Sequence, residues 1–454
     1  MADKGRLKIQ CFVGDTYVPV DGSNITLVST SGQTNDNKEV NLVTNSSGES
    51  QVIELNAPPL EYSQNPDQPT PYSLYDLRIG KEGFQTLVIN GVQIFPGQTA
   101  IQQCQLIKSN NRNSRADVIN IGPNTLNGNY PSKIPEEVDK PLPPPTSGVV
   151  LPKPVVPEFI TVHTGSPNNN SAPNYTVLYK EYIKNVASCE IYSTWPESTI
   201  RANVYAIISF TLNRIYTEWY RGKGKNYDIT NSTAYDHAFT YGRNIYDSIS
   251  VVVDDIFATY IRRQGRKQPL LTQYCDGKNV QCPGWMTQWG SKYLGDQGKT
   301  PYEILTNYYG SDLDLVTAEE VKGSPKSYPG YDLTVGSIGD EVETIQEQLN
   351  RISQNYPLIP KSAVDGVYGE KTKEAVSVFQ GIFNLPQTGV VDYSTWYKIS
   401  DVYVGVTRIA ELRSSEKERV FIPPISFDIL NSREIPKISR SEERRVGKEC
   451  RSRW

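Results

Sequence analysis

Glu190 closes an apolar run, Val177 to Glu190 (VLYKEYIKNVASCE), and stands just before Thr194-Trp195-Pro196-Glu197. A carboxylate caught between two apolar helices is partly desolvated. Desolvation raises its pKa towards the range in which a carboxyl group serves as a general acid. A solvated glutamate at a helix end is the alternative that residue type alone leaves open. Other reactive types are sparse: two histidines, His163 and His237, and six cysteines. That excludes histidine-rich metal chemistry. Cys189 has no recognisably placed histidine to activate it and reads as a helix core residue. Cys275 and Cys282 allow a disulfide, a pair of free thiols or two ligands of a metal. With no nearby histidine to help complete a four-coordinate site, neither a metal nor a cofactor is expected.

Elements must position these groups. Leu178, Tyr182, Ile183 and Val186 share one face at spacings of three and four, which predicts a helix ending at Glu190. Thr194 as a capping hydroxyl, Pro196 and Glu197 predict the start of a second helix, with Ile200, Val204, Ile207, Ile208 and Thr211 towards a core. In residues 1–110, short alternating runs (Leu7–Val13, Ile25–Val28, Tyr75–Ile79, Leu87–Ile89) between Gly, Asn, Asp and Pro clusters predict an antiparallel all-β sandwich. Cys11 and Cys104, in its first and last strands, read as a bridge or as two buried thiols. Residues 111–157 are expected to be a linker, richest in proline from Val138 to Pro157 (VDKPLPPPTSGVVLPKPVVP). Such a segment forms a semi-rigid extended spacer, most open to proteases around Val149 and Val150. Residues 158–325 are expected to be the α+β domain that holds the chemistry, and 333–405 a small helical domain. Residues 406–438, with Phe421-Ile422-Pro423-Pro424, should pack back on the domains, and the basic stretch 439–454 reads as a non-native tail.

Bulk composition agrees with several modest domains: only 37% of residues are apolar, against 33 Gly and 31 Pro. The balance of 46 basic and 50 acidic residues gives no nucleic-acid footprint. No run of about 18 apolar residues predicts a membrane span. Met1 to Leu7 lacks the apolar segment of a secretory signal. The 29 Tyr against 11 Phe suit wet surfaces and sugar faces.

Specific motifs add to this reading. Tyr182 to Asn203 (YIKNVASCEIYSTWPESTIRAN) resembles the opening motif of the sporulation stage II protein D family of peptidoglycan lytic transglycosylases. Met286 to Gly290 (MTQWG) and Gln297 to Gly310 (QGKTPYEILTNYYG) resemble its later motifs, in the right order. The resemblance implies a central α+β lytic transglycosylase domain with Glu190 as the catalytic glutamate. There are departures. The family's Ala-Arg-Thr-Tyr in the second helix reads Ile207-Ile208-Ser209-Phe210, so a substrate contact by that arginine is lost or moved. Its histidine before the MTQWG-like motif is matched by Cys282, and its Tyr-Ser-x-x-Gly-Gly reads Tyr274-Cys275-Asp276-Gly277. Candidate glycan-binding side chains are Trp195, Tyr246, Tyr274, Trp285, Gln288 and Trp289, with core packing as the alternative for each.

The order Pro19-Val20, Ile25-Thr26-Leu27, Ser47-Gly48, Tyr75, Gly83-Phe84 resembles the prealbumin-like carboxypeptidase regulatory domains, which implies a non-catalytic sandwich. Gly336 to Leu349, Asp365 to Gln380 and Thr388 to Trp396 resemble the three-helix peptidoglycan-binding domain 1, with Val342, Leu349, Phe379 and Trp396 as its core. The whole order resembles the clostridial spore cortex-lytic enzymes of the SleC type, proenzymes activated in germination by subtilisin-like proteases. It implies a cut at Val149–Val150, cortex peptidoglycan as partner and a spore location. Two other classes stay open: a non-catalytic enhancer of a cell-wall amidase, and a structural cortex or coat protein.

Overall fold

Alternation along Asp3–Val13 turns Leu7, Ile9 and Cys11 inward to less than 2% exposure, the period-2 signature of a half-buried strand. In the computed structural model, which describes residues 3–14, 18–30, 39–109, 115–136, 153–280, 282–318, 320–321, 329 and 331–407, such strands stack as two sheets. One runs in the order 245–246, 99–106, 3–13, with 18–19 and 53–57 both along the far edge of 3–13. The other runs 40–43, 24–29, 73–80, 87–94, 117–120. The expectation of an antiparallel sandwich fails at two places. Asp3–Val13 lies parallel to Thr99–Leu106, and Leu87–Ile94 lies parallel to Asp117–Asn120. Parallel neighbours need a crossover rather than a hairpin, which a reading of local runs does not register. The first of these pairings sets Cys11 opposite Cys104, both buried free thiols.

Two strands of the sandwich come from outside residues 1–110. Asp117–Asn120 belongs to the stretch expected as linker, which over 115–136 is built structure rather than spacer. Ile245–Tyr246 belongs to the central part and pairs with Ala100 and Ile101. The apolar core is accordingly continuous between sandwich and central part. Phe95 packs against Tyr72, Tyr192 and Tyr246 with ring centroids 5.3 Å apart in each case. Beside it, Gln93 and Asn244 exchange two buried backbone-to-amide hydrogen bonds.

Among the described residues the central part holds five α-helices: α1 (Tyr179–Glu190), α2 (Glu197–Tyr216), α3 (Asp247–Ile256), α4 (Gln288–Asp296) and α5 (Pro301–Tyr309). α2 is buried on nearly every side, as a helix through the middle of a core must be. It starts after Pro196 without a side-chain cap, so the expected Thr194 hydroxyl does not cap it. Pro196 lacks a backbone N–H and sets the helical entry by its own ring. α5 carries a full capping box between Thr300 and Glu303.

Three further helices, α6 (Asp340–Ile352), α7 (Glu370–Ile382) and α8 (Tyr393–Thr407), close round a second core containing Val342, Leu349, Phe379 and Trp396. Two buried glutamines clasp its turns. Gln346 accepts from the N–H groups of Asp365 and Gly366, and Gln380 accepts from that of Gly389. Gly366 and Gly389 take φ of 67° and 64°, a conformation that glycine adopts without strain. Residues 408–454, including Phe421-Ile422-Pro423-Pro424 and the 439–454 tail, lie outside the described residues.

Candidate active site

Glu190 is the last residue of α1 and is 5% exposed. Its Oε1 accepts from the Ala238 backbone N–H at 2.8 Å. Its Oε2 accepts from Gln288 Nε2 at 3.1 Å and from Thr125 Oγ1 at 3.2 Å. Gln288 stands at the start of α4, and the same amide donates to the Glu190 carbonyl oxygen at 3.0 Å, which fixes its orientation. Burial pushes the Glu190 carboxyl up; the Lys133 charge, the Ala238 N–H, Gln288 and Thr125 pull it back, and burial prevails.

A cation sits close by. The Lys133 ammonium donates to the Asp236 carbonyl oxygen at 2.7 Å and lies over the rings of Tyr274 and Phe210, at 4.5 and 5.0 Å from their centroids. Burial pulls its pKa down to about 8. His237 stacks on Tyr274, with centroids 5.8 Å apart, and its Nδ1 meets the Tyr182 hydroxyl at 3.1 Å. Burial holds that imidazole well below its ordinary pKa, so it is neutral at pH 7. Burial, then the Glu190 charge, pushes the Tyr274 phenol up.

Below these groups lies a buried ion network. Arg214 projects from α2 and places Nε on Asp236 Oδ1 at 2.8 Å. Its Nη1 and Nη2 grip the two carboxylate oxygens of Glu136 at 2.9 and 2.7 Å. Asp236 Oδ2 accepts from the Tyr220 hydroxyl and from both the N–H and the hydroxyl of Thr230. The short stretch Asp236–Ala238 therefore orients Arg214 at one end and Glu190 at the other.

Glu190 opens onto a cavity of about 50 Å³ bounded by Tyr130, Lys133, Tyr274, Asn279 and Gln288 among others. One wall is the loop closed by a disulfide between Cys275 and Cys282, whose Cα atoms are 5.8 Å apart. In that loop Asp276 accepts from the N–H groups of Lys278, Asn279 and Val280. Thr125, Gly128, Tyr130, Pro131 and Lys133 of the segment 124–136 also line the cavity.

The structure thus brings Glu190, Tyr274 and Gln288 together and leaves the other aromatic candidates apart. Trp195 is core: it is 4% exposed and donates to the Ser63 carbonyl oxygen. Tyr246 is also core, fully buried under the sandwich with its hydroxyl on the Gln93 carbonyl oxygen. Trp289 packs its half-buried ring on Trp195 and Tyr192. Trp285 is half-buried and does not line the cavity. Val149 and Val150 lie outside the described residues. Sequence reasoning missed Thr125, Lys133, Glu136, Arg214, Asp236 and His237. Arg214 carried a usable signal, a cation in the last turn of an apolar helix whose other cation, Arg201, lies near its start. Among the described residues no cluster of three or more His, Cys, Asp or Glu could hold a metal ion, and no helix is long and apolar enough to cross a membrane.

Comparisons with known proteins bear on the C-terminal helices. Residues 338–399, spanning α6, α7 and the start of α8, match the family described as "Putative peptidoglycan binding domain". These residues form a peptidoglycan-binding domain, which supports peptidoglycan as a partner. No curated protein matches the chain. Among solved structures, the SleB N-terminal domain is similar at 26% identity over 17% of this chain and 99% of its own, with a TM-score of 0.15. The Bacillus anthracis TIE protein is similar at 15% identity over 23% of this chain and 17% of its own, with a TM-score of 0.16.

Proposed function

We propose that the chain is a peptidoglycan lytic transglycosylase, made as a proenzyme, in which Glu190 is the single acid and base. The observation that carries this reading is a buried carboxyl of raised pKa, held by a backbone N–H and a fixed amide beside a cavity, in a chain with a peptidoglycan-binding domain. The protonated Glu190 gives its proton to the glycosidic oxygen as the bond to the muramic anomeric carbon breaks. The muramic C6 hydroxyl attacks that carbon, and its proton passes to the Glu190 carboxylate, which restores the acid and leaves a 1,6-anhydro end. The nucleophile belongs to the same sugar, so its effective concentration is high and no water is needed.

A hydrolytic glycosidase needs a second carboxylate to manage water or a covalent intermediate. The acidic neighbours are poorly suited to that role. Asp236 has both oxygens engaged by Arg214, Tyr220 and Thr230, and Asp276 is spent on the turn N–H groups of its loop. Glu136 belongs to the segment that precedes the proposed cut at Val149–Val150. Cortex peptidoglycan as substrate, a subtilisin-like protease as activator and a spore location belong to the same proposal. Mass spectrometry of digested cortex tests it. Anhydro-muramic ends that form with the processed chain and vanish with Glu190→Gln are expected; reducing ends instead would make the enzyme a hydrolase.

A further inference from the structure

Residues 124–136 cross the candidate site as a strap held by a series of hydrogen bonds. Asn124 donates to the carbonyl oxygens of Ser188 and Ile191, and the Thr125 N–H to that of Cys189. The Ile134 N–H donates to the Ala234 carbonyl oxygen, the Ile134 carbonyl oxygen accepts from Gln273 Nε2, and the Glu136 N–H donates to Gln273 Oε1. The most specific hold is the fork of Arg214 on Glu136. Arg214 is 1% exposed, with the faces of Phe210 and Trp219 at 4.7 and 5.0 Å. Asp236 takes Nε from one edge, so the Nη1–Nη2 edge is free to receive one planar carboxylate, and in this chain Glu136 fills it. A guanidinium stays charged under all ordinary conditions, and its paired donors match a carboxylate bidentately. A buried fork that loses its partner is costly, so the position calls for another carboxylate once the strap leaves. A short stretch links it to the candidate acid: Asp236 holds Arg214, and Ala238, two residues on and at most about 7 Å away along the chain, holds Glu190.

We propose that Arg214 is a carboxylate-binding subsite of the cleft, and that Glu136 occupies it as an internal stand-in for a free carboxylate on the peptide stem of the wall substrate. Identifying the ligand as a wall peptide rests on the function proposed above; the subsite itself rests on the fork, its burial and its present occupant. The same contact gives the strap its inhibitory character, since the chain and the substrate compete for one guanidinium.

The test uses the full chain with Glu136→Gln and Lys133→Ala together, which removes both charged holds of the strap and leaves Arg214 paired with Asp236. Calorimetry measures binding of a muramyl tripeptide with free carboxylates and of its fully amidated counterpart. Neither has a glycosidic bond to cleave, so the measurement is independent of turnover. The expected result is a preference of about ten- to a hundredfold for the free carboxylate, the range for a hydrogen-bonded charged group. The preference should fall away when Arg214→Lys, which keeps the charge and loses the fork, is added, with circular dichroism and a cooperative melting transition showing that the variant is still folded. Equal affinity for the two ligands, or binding of neither, overturns the proposal. A preserved preference in a chain that forms no anhydro ends would instead sink the lytic reading and leave the subsite standing.

Discussion

Replacing Glu190 by Gln separates a catalytic carboxyl from a structural one, because the two roles predict different pH behaviour. Loss of the acid should lower turnover of the processed chain by roughly 10²–10⁴-fold, or about 3–5 kcal/mol of barrier. Stability changes through two terms. The amide that replaces Oε2 would face the Gln288 amide as donor to donor, and Gln288 cannot turn without giving up the Glu190 carbonyl oxygen. That conflict costs about 1 kcal/mol at any pH. The Thr125 hydroxyl can rotate and adds little. Against this stands the relief of a buried charge. A carboxyl whose folded pKa is raised holds its proton more tightly when folded, so its ionisation subtracts stability once pH exceeds the ordinary carboxyl range. Glu190→Gln removes that penalty, so relative to the parent it should gain stability as pH rises from about 4 towards the raised pKa and hold the gain above it. Denaturant unfolding at a series of pH values, paired with muropeptide analysis, reads both effects. A stability difference independent of pH, or turnover within tenfold of the parent, would refute the assignment.

Other perturbations probe the frame around the site. Phe95→Ala should cost about 3–5 kcal/mol by opening a cavity where three tyrosine rings meet, and calorimetry should then resolve the sandwich and the central part as two transitions. A smaller loss with unfolding still in one step would contradict a shared core. Cys275→Ser with Cys282→Ser should lower the unfolding free energy by about 2 kcal/mol for so short a loop, and should reduce substrate affinity more than the melting temperature implies. Cutting at Val149–Val150 should leave the two pieces associated through that core, so activity should lag behind cleavage and the pieces should co-elute at first; activity rising in step with the cut would show that the core does not hold them.

Much of this was legible in local pattern. The period-2 runs became strands, the three-to-four spacing before Glu190 became α1, and the glycine turns of the C-terminal helices fell where backbone needed positive φ. What escaped was long-range. Nothing in the letters says that Ile245 and Tyr246 complete a sheet begun at Asp3, or that Asp3–Val13 and Thr99–Leu106 run parallel. The aromatic candidates failed for a related reason. Trp195 and Tyr246 have the flat faces that sugars favour, yet such rings also carry the largest apolar area, and a core between two sheets and a helix bundle claimed them. Composition misled at 115–136 because prolines further along coloured the whole stretch as spacer, while Thr125, Lys133 and Glu136 have side chains that the central part satisfies.

The charges on the strap argue that it does more than fill space. An apolar plug would exclude the glycan equally well and would leave the Glu190 carboxyl higher still, protonated and ready to act. Lys133 and Thr125 instead favour the ionised form, pulling the group towards the state that cannot donate a proton. Departure of the strap would remove both influences together with the burial that Thr125, Gly128, Tyr130, Pro131 and Lys133 provide, and a glycan that refills the cleft would restore that burial against the remaining donors, Ala238 and Gln288. On the proposed mechanism, then, one event opens the cleft and vacates the Arg214 fork for a substrate carboxylate, and a glycan that refills the cleft moves the catalytic group towards its acid form. Occupancy, recognition and protonation are coupled because a single stretch of chain touches all three, and a cleft blocked by bulk alone would lack that coupling.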